Sequence, residues 1–153
     1  MRVFIDADGC PVTKLTAEIC EKHNTRCVIV CDTSHEFDLE NAQTVCVDKG
    51  KDSVDLKIAN LITKGDIVVT QDYALASICL AKGCYAINQN GLVYSNENID
   101  SLMFSRYVSK RLRDTGMRIK GAKKRQSEKD KMYEKSFLKL LSDNSNDPND
   151  KTN

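Results

Sequence analysis

The sequence predicts a three-layer α/β/α sandwich built on a mainly parallel sheet, and three observations predict it. Short, unbroken runs of apolar and β-branched residues recur along the first ninety positions, as in strands covered on both faces. Stretches whose apolar residues repeat at helical spacing separate them. An aspartate stands just beyond four of the runs, always at the carboxyl end: Asp6, Asp32, Asp48 and Asp72. Crossovers in a parallel sheet bring every strand end to the same edge, so these acids are expected where open α/β sheets keep their ligand sites.

Each element has its own signal. Residues 2–5 form the first apolar run, and Pro11 then opens a helix with Val12, Leu15, Ile19 and Cys20 on one stripe. Residues 27–31 and 44–47 are β-branched runs. Residues 52–63 read as a helix facing inward through Val54, Ile58, Leu61 and Ile62. Residues 67–70 are a buried strand, and 73–82 a helix stopped by Gly83. The runs at 84–87 and 92–94 flank an Asn90-Gly91 turn, the signature of a hairpin. A helix is expected over 98–114, with Ile99, Leu102, Met103, Tyr107 and Val108 turned inward. Ser127 with Asp130 resembles a capping box before a last amphipathic helix carrying Tyr133, Phe137, Leu140 and Leu141. One domain over 1–141 is expected, with 98–141 its helical, basic part. Residues 142–153 are polar and expected to be a disordered tail.

At 153 residues, 41% hydrophobic and 29% charged, the chain resembles an ordinary globular protein. No run is long enough to span a membrane. The acids of MRVFIDADGC come too early for a signal peptide, so a cytoplasmic location is expected. Seven cysteines, an odd number with no CxxC pair, fit a reducing compartment and a packing role, Cys10 included. Two histidines leave little for histidine-based metal sites or for activating a thiol.

The acids carry the functional signal. Asp6 and Asp8 flank a strand exit, where two close carboxylates repel unless a cation lies between them. Hard oxygen ligands of this kind suit Mg²⁺ or Mn²⁺. Asp52 and Asp55 share a helix face; Asp52 has the position of an N-cap, whereas Asp55 lies beside the apolar stripe. Asp72 follows a strand and precedes a helix, and can also be read as an N-cap. Asp66, at the other end of that strand, is structural. Carboxylates from three distant segments meeting at one edge suit phosphoryl chemistry, in which one or two divalent ions activate a water.

The charge is divided along the chain. Residues 1–100 hold 9 Lys and Arg against 15 Asp and Glu, and residues 101–153 hold 14 against 7. Between positions 106 and 125 the bases are Arg106, Lys110, Arg111, Arg113, Arg118, Lys120, Lys123, Lys124 and Arg125, with Asp114 the lone acid. Cations at this density contact phosphates rather than read bases, so RNA is the expected partner, bound with weak sequence specificity. A solvated helix face explains the tract equally well. The 98–114 helix or an edge strand could support a dimer.

The segments FIDADGCPV, KDSVDLKIAN, KGDIVVTQDYALAS, KGCYAINQNGLVYSNENI and RLRDTG, in this order, resemble the bacterial YaiI/YqxD family, also called UPF0178 or DUF188. The resemblance implies a PIN-like domain, and with it a Mg²⁺- or Mn²⁺-dependent ribonuclease. It makes Asp6, Asp55 and Asp72 the catalytic acids, with Asp8 and Asp52 beside them at the metal. The chain departs from the family pattern at Asn88-Gln89-Asn90-Gly91, where a Pro-Arg-Gly segment is common, and at Gly9, where alanine is usual. Two other readings stay open. DADG is similar to the DxDG start of haloacid-dehalogenase-type phosphatases, which would make Asp6 a nucleophile and Asp8 a general acid. The basic tract also fits a non-catalytic RNA-binding protein.

Overall fold

A computed structural model describes residues 1–33, 37–50, 52–117 and 127–145. Five strands, β1 (Arg2–Asp6), β2 (Arg26–Asp32), β3 (Gln43–Val47), β4 (Ile67–Val69) and β5 (Tyr85–Ile87), form one sheet in the order β3-β2-β1-β4-β5. Every pairing is parallel. The helices are α1 (Thr13–Lys22), α2 (Ser53–Leu61), α3 (Tyr73–Ala81), α4 (Ile99–Asp114) and α5 (Ser127–Ser145).

Side chains alternate across a strand, and this sorts the core into two apolar layers. Val3, Ile5, Cys27, Ile29, Ile67 and Val69 face α1 and α5, meeting Val12, Ile19, Tyr133 and Phe137. Phe4, Val28, Val30 and Val68 face α2 and α3, meeting Val54, Ile58, Leu75 and Cys79. With both faces covered, the strands read as the unbroken apolar runs seen in the sequence. Cys20, Cys27, Cys31, Cys79 and Cys84 are buried, and all seven cysteines are free thiols. Burial pushes the Cys79 thiol up to about 12, so it packs as a small hydrophobe.

At the amino edge of the sheet Asp66 is 2% exposed. It accepts bonds from the Arg2 guanidinium at 2.7 Å and from the Arg2 and Thr63 backbone N–H groups at 2.9 Å. It is the structural acid its position predicts.

Three expectations change. The hairpin at 84–94 reduces to one antiparallel bridge, Ile87 to Val93. The Asn88 carboxamide accepts from the N–H groups of Asn90 and Leu92, which curls the chain into a turn instead of a second strand. In α4 only Ile99 is buried and Leu102 partly so; Met103, Tyr107 and Val108, expected inside, are 42%, 58% and 37% exposed. Only the first turn of α4 reaches the apolar layer, and the interleaved bases of later turns keep that face at the surface. Finally, α5 runs on to Ser145, four residues past the boundary at 141. Residues 146–153 lie outside the described residues. Among the described residues, no helix is long and apolar enough to cross a membrane.

Candidate functional site

Successive strands step one way from β1 through β2 to β3 and the other way from β4 to β5. The reversal opens a crevice at the carboxyl ends of β1 and β4, the usual ligand position in such sheets. A pocket of about 350 Å³ lies there, lined by Asp6, Asp8, Asp52, Asp55 and Asp72 together with Gln71 and Arg106. All five acids expected at the site therefore line one pocket. Asp32 and Asp48 do not: they end or follow β2 and β3, farther from the switch point.

Thr70, just past β4, ties the strand ends together. Its hydroxyl donates to Asp6 Oδ2 at 2.8 Å and accepts from the Asp72 N–H at 3.0 Å. Its carbonyl accepts from the buried Tyr94 hydroxyl at 3.2 Å. Asp72 is the N-cap of α3, its Oδ1 accepting from the Leu75 N–H at 2.9 Å. The cap uses one carboxylate oxygen and fixes the side chain at the pocket wall, so the capping and site readings of Asp72 coexist.

On α2 the capping reading of Asp52 fails. The residue has the N-cap position, but its side chain makes no cap bond, and its φ of 61° is left-handed. Such a conformation is uncommon in non-glycine residues, although aspartate adopts it more readily than most. Asp55, in the first turn of α2, is half-buried. Beside Asp8, Gly9 turns the chain with φ 67°, and its carbonyl accepts from the Gln71 side chain at 3.3 Å.

Crowding leaves an electrostatic mark. Burial raises the Asp6 carboxyl above its usual range; the Thr70 bond opposes this, and the charges of Asp8 and Asp72 add to it. Asp55 is raised to about 6, first by burial and then by Asp6, Asp72, Asp52 and Asp8. The fold thus concentrates negative charge in one pocket. Among the described lining residues Arg106 is the single cation, and none is His or Lys. Hard carboxylate oxygens of this kind fit Mg²⁺ or Mn²⁺. Among the described residues, no three or more His, Cys, Asp or Glu side chains stand close enough together to hold a metal ion.

Of the bases expected to hold nucleic acid, Arg106, Lys110, Arg111 and Arg113 are exposed on α4. Arg106 borders the acidic pocket, and Lys110 lines a second pocket beside it. Arg113 lines a third pocket, of about 450 Å³, with Gln71, Tyr73, Ser105, Arg106 and Ser109. Arg118, Lys120, Lys123, Lys124 and Arg125 lie outside the described residues. Sequence reasoning missed Thr70 as the link between Asp6 and Asp72, although a hydroxyl at a strand end two residues before an acid is a usable sign. It missed Tyr94 too, which no local pattern connects to the site.

Fold and site together define a parallel-sheet α/β/α domain with a carboxylate-lined pocket at its switch point. Residues 4–143 match the family described as uncharacterized BCR, YaiI/YqxD family, and the chain belongs to it. It is 46% identical over 143 residues to a UPF0178 protein of Exiguobacterium sibiricum, covering 94% of this chain and 98% of the relative. A UPF0178 protein of Ruminiclostridium cellulolyticum is 41% identical over 150 residues, 98% of each chain. Among solved structures, a mutant of Rae1 (YacP) from Bacillus subtilis superposes with a TM-score of 0.41 and 13% identity, covering 76% of this chain and 84% of that one. That likeness is too distant to bear on activity.

Proposed function

We propose that this protein is a PIN-like ribonuclease that hydrolyses phosphodiester bonds in RNA with Mg²⁺ or Mn²⁺. The observation that carries the reading is the gathering of five carboxylates, from three separate segments, in one pocket with Arg106 at its border. Asp6, Asp55 and Asp72 would hold the ion, with Asp8 and Asp52 assisting. When bound, a divalent ion supplies Lewis-acid activation of a water and offsets charge on the phosphoryl group.

The chain's own residues prepare that chemistry. Thr70 holds the Asp6 carboxylate in one orientation, and the α3 cap does the same for Asp72. Asp55 is presented from a separate helix, so its position is set independently of the strand ends. Arg106 offers a charge-assisted donor to a phosphate oxygen at the pocket border. Lys110, Arg111 and Arg113 extend the positive surface along α4 for the rest of the backbone.

The test is cleavage of single-stranded RNA with Mn²⁺ or Mg²⁺, stopped by EDTA and lost in Asp72→Asn. Asparagine caps a helix as well as aspartate does, so this variant keeps α3 while removing the charge. Hydrolysis of a small aryl phosphate without RNA cleavage would replace the proposal with a haloacid-dehalogenase-like phosphatase. RNA binding unchanged by EDTA and by Asp6→Asn, with neither substrate turned over, would replace it with a non-catalytic RNA-binding protein.

A further inference from the structure

A second pocket, of about 330 Å³, adjoins the acidic one and shares Asp72 and Arg106 with it. Its remaining lining is Tyr73 and Ala74 from the start of α3 and Met103, Tyr107 and Lys110 from α4. The α4 members Met103, Arg106, Tyr107 and Lys110 follow helical spacing, so they form one stripe facing the α3 N-terminus. Met103 and Tyr107 are 42% and 58% exposed, and the lining is mainly apolar in contrast to its neighbour.

The floor of this pocket is braced against the acidic site. The Tyr73 ring meets Tyr94 edge to face at 5.9 Å, and the Tyr94 hydroxyl donates to the Thr70 carbonyl. Thr70 in turn holds Asp6 and the Asp72 backbone. The Arg106 guanidinium stands over the Tyr73 ring, 5.6 Å from its centroid. Aromatic rings, a guanidinium plane and a flanking lysine, set directly beside a carboxylate pocket that would take a phosphate through a bound cation, match one ligand chemistry. An unpaired base stacks on aromatic faces whatever its identity, and the cations take the backbone. A paired base keeps its faces within the helical stack and cannot enter.

We propose that the pocket between Tyr73 and Tyr107 is a subsite for one unpaired nucleobase of an RNA strand whose neighbouring phosphate sits at the acidic pocket. The placement of that phosphate rests on the ribonuclease reading; the base subsite itself has its own readout. It makes the substrate single-stranded, tolerant of sequence, and held in register by stacking.

The experiment measures fluorescence anisotropy of the full chain in EDTA, so that no cleavage intervenes. It compares single-stranded oligoadenylate with a fully abasic ribose–phosphate chain of the same length and charge. The abasic chain should bind about tenfold more weakly, the size expected for one stacked base. Tyr107→Ala should weaken oligoadenylate binding to the abasic level and erase the difference, Tyr107→Phe should retain it, and Lys110→Ala should weaken both ligands alike. Because Tyr107 is 58% exposed, its variants should keep the fold, which their melting curves verify. Equal binding of the two chains by the native protein overturns the subsite. So does Tyr107→Ala that leaves oligoadenylate binding intact while halving the mass seen by sedimentation, which assigns the face to a second copy of this chain. A preserved preference for bases with no RNA cleavage in Mn²⁺ removes the ribonuclease reading and keeps the subsite. Cleavage with no preference for bases does the reverse.

Discussion

The two C-terminal helices carry the same sequence signal and meet opposite fates. In α5 the apolar stripe is enclosed: Tyr133 and Phe137 are 0% exposed and Leu141 3%. In α4, Phe104, Tyr107 and Leu112 are 67%, 58% and 39% exposed. The difference lies between the apolar positions. In α5 the buried phenol has a partner inside, and Tyr133 stacks on Phe137 with centroids 5.5 Å apart. In α4, Arg106, Lys110, Arg111 and Arg113 interrupt the stripe, and charged heads do not enter an apolar layer without compensation. Helical periodicity therefore shows that a face is apolar, while its neighbours decide whether it closes the fold or meets a partner.

The largest expected effect tests that contrast directly. Phe137→Ala should destabilise the protein by about 3–5 kcal/mol, the usual result of emptying a closed aromatic site. Phe104→Ala should change stability by no more than about 0.5 kcal/mol, as for an exposed residue. Denaturant melts of the two variants measure both. Comparable losses would mean that α4 is covered and the contrast is false.

A smaller effect sharpens the account of α5. The Thr16 hydroxyl has one proton, which it donates to the Val12 carbonyl at 2.7 Å, so the Tyr133 hydroxyl is the donor in their 2.7 Å bond. Thr16→Val leaves that phenol buried without its acceptor and should cost about 2 kcal/mol. Tyr133→Phe removes the donor while Thr16 keeps its carbonyl, and should cost about 1 kcal/mol. The double variant should cost less than the two losses added together. Simple additivity in a double-mutant cycle would show that the pair is not coupled.

The parts of this structure that are written locally were legible in the sequence. Unbroken apolar runs announced strands covered on both faces, and the aspartates beyond them announced a shared edge. Strand order was not legible, because it depends on which way each crossover steps, and no run of residues encodes that. For this reason Asp32 and Asp48 resembled Asp6 and Asp72 in sequence, yet only the pair beside the reversal lines the pocket. Asp72 was ambiguous for a better reason, since one carboxylate serves both the helix and the site. The inward placement of Tyr107 failed because periodicity carries no information about what lies opposite. Arg106 was expected to hold a strand of nucleic acid, but its position at the acidic pocket depends on how α4 crosses the start of α3.

The smallest expected effect concerns the acidic pocket, where the fold carries a cost instead of a gain. Asp55 titrates near 3.8 when unperturbed and at about 6 in the folded chain. Between those values the native state holds more protons than the unfolded chain, so stability falls as pH rises through that window. The favourable contribution is complete below about pH 3.8 and is gone above about pH 6. Asp55→Asn should therefore stabilise the ion-free protein at pH 8, and the advantage should vanish near pH 4. The gain should be about 1 kcal/mol, because solvent screens a half-exposed carboxylate, or about 3 °C in melting temperature for a chain of this size. Melts in EDTA at the two pH values measure it. Mn²⁺ should reverse the order at pH 8 by stabilising the native protein more than the variant. An ion-free variant no more stable than the native chain at pH 8 would show that the five carboxylates do not strain one another, removing the electrostatic reason for a cation among them.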